Sequence, residues 1–277
     1  MSTLVRRADL LDVELPKAVW SRSGRPTLGR ISRTLFASTL VLLGLAMPWP
    51  AVSFGLLIAG VAGFVLIPVI TDLIIERGEG AFRRATAADA DAKLASLDQR
   101  VLISAFAPDA WVTLQRARLQ LAKGDGRAAA QALADTARII GQPDHPELVA
   151  AQARALLLAG DRAGARTHLS ALAERGELSP RARLDLGVIM LGEAGNAEAA
   201  REHLQAAYDG LDGHPQAAAA LAVALARADQ SERAMELLAE AEAKAADGDE
   251  LAADSIKKAR KALRPAREAA KKKRRKG

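Results

Sequence analysis

The chain of 277 residues has no cysteine and very few aromatic residues, with one tyrosine, three tryptophans and five phenylalanines. Without thiols, disulfide frameworks, thiolate metal centres and cysteine nucleophiles are excluded. The scarcity of rings says more. An ordinary globular core draws much of its burial from aromatic and branched side chains, yet here alanine supplies 62 residues within an apolar share of 50%. Alanine is the best helix former and lets backbones approach closely. The composition therefore implies closely packed helices, and no stretch is patterned as a strand. Glycine and proline, 21 and 11 residues, are too few for collagen or a low-complexity linker.

Signals for chemistry are equally scarce. No glycine pattern of the phosphate- or dinucleotide-binding kind occurs, and without strands no nucleophile elbow is expected. His145 and His214 immediately precede prolines at helix starts. His168 and His203 stand 35 residues apart, just before Leu169 and Leu204, and no carboxylate completes a ligand set around them. No metal, no cofactor and no catalytic residue is expected.

Charge is distributed in blocks. The net +6 resolves into +4 over residues 1–33, none over 34–71, −8 over 72–250 and +10 over 251–277. The basic character belongs to the ends, so a whole-chain argument for nucleic-acid binding fails.

The 38 charge-free residues from Thr34 to Thr71 are nearly twice what a bilayer-spanning helix needs. Pro48-Trp49-Pro50 interrupts them, a pairing that stops a helix and favours a turn. The expectation is a transmembrane helical hairpin over 28–75. Its alternatives are one spanning helix after an interfacial segment, or a re-entrant hairpin. Gly55, Ala59 and Gly63 recur at i, i+4, i+8, the spacing of a membrane-helix packing seam. Arginines before the hairpin (Arg30, Arg33) and after it (Arg77, Arg83, Arg84) put both termini on the cytoplasmic side of a bilayer. An integral membrane protein of a bacterial inner membrane is thus expected, with the lipid bilayer as a partner.

After the hairpin the sequence repeats. Gly124-Asp125, Gly160-Asp161, Gly195-Asn196 and Asp229-Gln230 are each followed by alanine (129, 165, 200, 234) and then leucine (133, 169, 204, 238). A proline precedes each turn: Pro108, Pro146, Pro180 and Pro215. Each unit reads as proline, helix A, tight turn, helix B, because proline suits a first helical position and glycine a helix end. Helix A carries Trp111, Leu114, Gln115 and Arg118 in the first unit. The later units carry Val149, Gln152, Ala153 and Leu156; Arg183, Leu186, Gly187 and Met190; and Ala218, Leu221, Ala222 and Leu225.

This period and the alternation of large, apolar and small positions resemble the tetratricopeptide repeat family. The likeness covers about 107–243 and departs from the family pattern at Gln115, Arg118, Gln152 and Arg183. It implies an all-α fold, a TPR-like α-solenoid of about four helix pairs. The expected organisation is a basic segment 1–27, the hairpin 28–75, a linker with a first helix 76–106, the repeats 107–243, a capping helix 244–264 and a basic disordered tail 265–277. The resemblance also implies a concave groove on the helix A faces. In this chain the groove would present Arg116, Leu119, Arg154, Leu157, Arg181, Leu184, Val188 and Leu191 to a protein partner, unless the chain's own 81–106 helix fills it. An arginine there would grip an acidic side chain or a C-terminal carboxylate.

The tail ends in Lys271, Lys272, Lys273, Arg274, Arg275 and Lys276. It reads as a solvated tail, an anionic-lipid contact, or a contact with an acidic protein surface. With no aromatic interleaved, nucleic acid is not an expected partner. Two functions fit: a membrane-anchored scaffold that recruits a protein at the cytoplasmic face, or a structural subunit of a larger membrane complex or homo-oligomer, its hairpin packed against other membrane helices.

Overall fold

Turn chemistry sets the helix boundaries of the repeat region. The computed structural model describes residues 11, 13, 28–99, 103, 107–193, 196–246 and 250–274. All regular structure among them is α-helical. The chain divides into two compact units that meet between Ala159 and Gly160, inside the second repeat.

In the N-terminal unit, α1 (Leu28–Ala46) and α2 (Pro50–Arg83) pack as a hairpin across the Pro48-Trp49-Pro50 turn. Pro50 sits in the first turn of α2, where its missing N–H costs nothing. α2 continues without a break to Arg83, well past the expected end at 75. α3 (Ala90–Gln99) follows a turn in which Asp89 accepts from the Thr86 N–H at 2.6 Å and the Lys93 ammonium lies 2.7 Å from its second oxygen. The bond from Lys93, then that from Thr86, holds the Asp89 carboxyl down to about 2. The first repeat supplies α4 (Asp109–Lys123) and α5 (Gly126–Ile139), and the second supplies α6 (Pro146–Leu158).

The C-terminal unit holds α7 (Arg162–Glu174), α8 (Pro180–Leu191), α9 (Ala197–Gly210), α10 (Pro215–Arg227), α11 (Ser231–Lys244) and α12 (Glu250–Arg274). α8 packs on α9, α10 on α11, and α12 lies against α10 and α11. Pro265 falls inside α12, which runs on to Arg274 rather than ending before a tail.

The turns do what their residues allow. Gly124 closes α4 in the left-handed conformation at φ 94°, which lacks a Cβ penalty. The Asp125 carboxylate then accepts from the Ala128 N–H at 2.9 Å, and Asp161 accepts from Gly164 at the same distance. Ser179 caps α8 through the Ala182 N–H, whereas His145 makes no such bond. The alanines and leucines that mark helix B, Ala129/Leu133, Ala165/Leu169, Ala200/Leu204 and Ala234/Leu238, are all buried.

The membrane expectation is overturned. Among the described residues, no helix is long and apolar enough to cross a membrane. α1 carries Arg30 and Arg33, so its charge-free part is 34–46, 13 residues. That part falls short of the roughly 20 residues a span needs. The integral-membrane localisation and the transmembrane reading of 28–75 are corrected accordingly; what stands is a helical hairpin.

Within the hairpin, Gly55 and Ala59 do not lie against α1. A Cβ at Gly55 would meet nothing within 4 Å, and Ala59 is exposed. The close approach instead runs through Gly44 and Gly60. A Cβ on Gly44 would lie 3.0 Å from the Ser53 carbonyl oxygen, and one on Gly60 3.2 Å from that of Ala37. A spacing rule finds small residues but not which face of the helix they occupy.

A tighter contact holds the third repeat together. A Cβ at Gly187 would sit 2.6 Å from Leu204 Cγ. Gly187→Ala should therefore cost about 1–3 kcal/mol through overpacking, despite the better helix propensity of alanine. Gly55→Ala, facing open space, should be neutral or stabilising by up to about 1 kcal/mol. Thermal denaturation of both variants checks this: the first melts a few degrees below the parent chain and the second does not.

Candidate functional site

The helix A faces differ between the two units. In the N-terminal unit, Trp111, Leu114, Gln115 and Arg118 are all essentially without solvent exposure. Trp111 packs edge-on to Phe82 with ring centroids 5.8 Å apart, and α2 comes close enough there that a Cβ on Gly78 would touch the indole at 2.8 Å. The polar departure at Arg118 has partners from outside the repeat, and Gln115 accepts from Arg118. Arg118 donates to the Val13 carbonyl at 2.8 Å, to Gln115 Oε1 at 3.2 Å and to Glu79 Oε1 on α2 at 3.3 Å. Leu11 and Val13 are themselves buried in the core that contains Leu114, Leu119 and Leu148. A buried guanidinium is tolerable only when its N–H groups find acceptors, and here the chain's own N-terminal segment and α2 supply them.

The expected groove residues of this unit are accordingly not open. Leu119 is fully buried, Arg154 is buried and Leu157 is half-buried. Arg116 is ion-paired at 2.7 Å with Asp98 of α3. The contacts on this half come from Leu11, Val13 and α2, with Asp98 of α3 paired to Arg116 at an exposed edge. The Leu11/Val13 contact was missed at the sequence level. Its signal in the sequence is the apolar–acidic alternation Leu11-Asp12-Val13-Glu14-Leu15, which sets apolar residues two apart.

In the C-terminal unit the corresponding face is open. Val188 and Leu191 of α8, Val223 and Ala226 of α10 and the inward side of α12 enclose a groove of about 570 Å³. Leu184, expected in the groove, lies fully in the core, and Arg181 is half-buried outside the lining. Four cations stand around the apolar floor: Arg162, Arg227, Lys258 and Lys261. None of the lining residues is acidic. Arg227 donates to the Leu191 carbonyl, and Lys258 pairs with Asp254 at 2.5 Å one turn away on α12. Among the described residues no carboxylate pairs with Arg162 or Lys261. Their role was not foreseen, because α12 was read as a cap. Its spacing holds the signal: Ala252, Ile256, Ala259 and Leu263 face the core, while Ser255, Lys258 and Lys261 form the adjoining row.

Lys271, Lys272, Lys273 and Arg274 lie in the last turn of α12, and Arg275 and Lys276 lie outside the described residues. His203 is held below the ordinary histidine range by burial and by the nearby Arg183. Among the described residues no group of three or more His, Asp or Glu is placed to hold a metal ion. Comparison with known proteins finds no family model that matches the chain and no curated protein similar to it.

Arg118 is the joint between the N-terminal segment, α2 and the first repeat. Arg118→Met keeps most of the apolar volume but leaves the Val13 carbonyl and Glu79 without their donor. It should cost about 3 kcal/mol, the low end for breaking a buried charged contact because Glu79 stays partly hydrated. Chemical denaturation measures the loss. Amide exchange at Val13 should accelerate in the same variant, and unchanged exchange there would show that Arg118 does not hold the segment.

Proposed function

We propose that the chain is a scaffold of tetratricopeptide-like helix pairs that recruits a protein partner on the helix A face of its C-terminal unit. The observation that carries this is the groove itself. Its floor is apolar, its rim is cationic, and it is unfilled where the equivalent face of the N-terminal unit is covered by the chain's own residues. Burial of side chains on such a floor supplies affinity, and rim charges supply orientation and partner choice. Nothing in the arrangement offers a nucleophile, a paired acid and base, or a cofactor cradle, so binding rather than turnover is the reading the site supports.

A second reading has its own observation. The hairpin exposes Leu45, Trp49 and Phe54 at 71%, 67% and 66%, together with Ile58, Val61, Val65 and Val69. An apolar surface of this extent marks an interface. On this reading the chain is a structural subunit whose hairpin packs against apolar helices of a larger assembly.

A photo-reactive residue placed in the full-length chain separates the two. At Ala226, in the groove, it should give a discrete crosslinked protein adduct, and at Glu236, on the exposed side of α11, none. Adducts from Phe54 alone, with none from Ala226, would contradict the scaffold reading and favour the structural one.

A further inference from the structure

The groove of the C-terminal unit has a chemistry that narrows its ligand. We infer that it binds an acidic, apolar peptide segment of a partner protein, in which hydrophobic side chains alternate or interleave with carboxylates. This rests on the scaffold reading above and specifies its ligand.

Charge complementarity is the first argument. Arg162 comes from the start of α7, Arg227 from the end of α10, and Lys258 and Lys261 from α12, so three separate helices converge on one opening with cations and no acid. Arg162 and Arg227 belong to the stretch 72–250, which is acidic overall at −8, and Lys258 and Lys261 to the basic stretch 251–277. Arg227 already serves the Leu191 carbonyl, and Lys258 shares Asp254 in an exposed pair that contributes little. Arg162 and Lys261 remain for a ligand carboxylate. Arg162 passes close to Gly192: its Nη1 would be 3.2 Å from a Cβ built there.

The floor is the second argument. Val188 and Ala226 are half-buried on the floor, and Leu191 and Val223 line it from the core edge at 7% and 8% exposure. A purely polyanionic ligand would leave this floor wet, and a purely apolar one would leave the rim cations without partners. The chain itself shows the pairing of these two features elsewhere. In the N-terminal unit two apolar residues, Leu11 and Val13, lie in the core beside Arg118, which donates to the Val13 carbonyl. The same kind of recognition, apolar anchors met by a cation from helix A or its neighbours, fits the open groove.

The test uses the full chain and three fluorescein-labelled twelve-residue peptides of alternating sequence: Glu-Leu, Lys-Leu and Glu-Ser. Fluorescence anisotropy should show binding of Glu-Leu, and at least about tenfold weaker binding of both other peptides. Binding of Glu-Leu should weaken with added salt. The double variant Arg162→Glu/Lys261→Glu should lose at least about tenfold in affinity for Glu-Leu. Arg233→Glu, a single charge reversal on the exposed side of α11, should leave it unchanged. Circular dichroism and the melting temperature confirm that the double variant is folded, and should it not fold, Arg162→Gln/Lys261→Gln replaces it with the same expectation. Equal binding of Glu-Ser and Glu-Leu would reduce the groove to a general polyanion contact and overturn the inference. So would binding of Lys-Leu as tight as that of Glu-Leu, no binding of Glu-Leu at all, or full binding by the folded double variant. If Glu-Leu does not bind while a crosslinked adduct still forms at Ala226, the ligand chemistry is wrong and the scaffold reading survives. If neither is seen, both fail.

Discussion

Close approach between small residues is the constraint on which this fold rests. A buried alanine methyl contributes only about 0.8 kcal/mol, against roughly 1.5–3 for a leucine. A chain with so many alanines and so few rings must compensate by bringing backbones near one another. α10 shows the limit of this: Ala217, Ala218, Ala219, Ala220, Ala222 and Ala224 are all buried, so nearly its whole circumference is in contact. Leu204 fits over Gly187, Trp111 over Gly78, and the Ala155 carbonyl oxygen would be 2.4 Å from a Cβ on Gly126. Such contacts leave little room for added volume. They also fix where a groove can exist, because only residues too far from the next helix to be covered remain available to a ligand.

The parts of this architecture legible in the sequence are those set by local rules. Asp125, Asp161 and Ser179 each cap a helix because a short oxygen-bearing side chain there reaches the N–H three residues on. The alanine and leucine of each helix B are buried because their spacing keeps them on one face. Pro48-Trp49-Pro50 turns the chain where two prolines must. What was not legible depends on contacts distant in sequence. Gln115 and Arg118 break the repeat pattern, and nothing local shows that Val13 and Glu79, 105 and 39 residues away, receive the guanidinium. The hairpin seam lies at Gly44 and Gly60 rather than at Gly55, because the rotation of α2 against α1 is decided by packing and not by spacing. The charge-free run at 34–71 was read as membrane-spanning by its length, whereas no described helix is long and apolar enough to cross a membrane.

For the site, the helix A positions of Val188 and Leu191 followed from the repeat register, and both line the groove. Arg116 and Arg154 stood at equally good positions, but one is paired with α3 and the other is buried. The same register position thus lines an open groove in one unit and is paired or buried in the other. The rim of the open groove is made largely by α12, an element outside the repeat, and so lay beyond the reach of a repeat-based reading. The chain thereby joins one face that it covers itself to one that it leaves open with cations around it.

Hydrogen–deuterium exchange on the full chain, with and without the alternating Glu-Leu peptide, tests this division most directly. The account predicts added protection confined to α8, α10 and α12, while α4, where Arg118 already holds Val13, and α6 exchange as before. Protection appearing on α4 and α6 instead, or spread evenly over the helices, would contradict it.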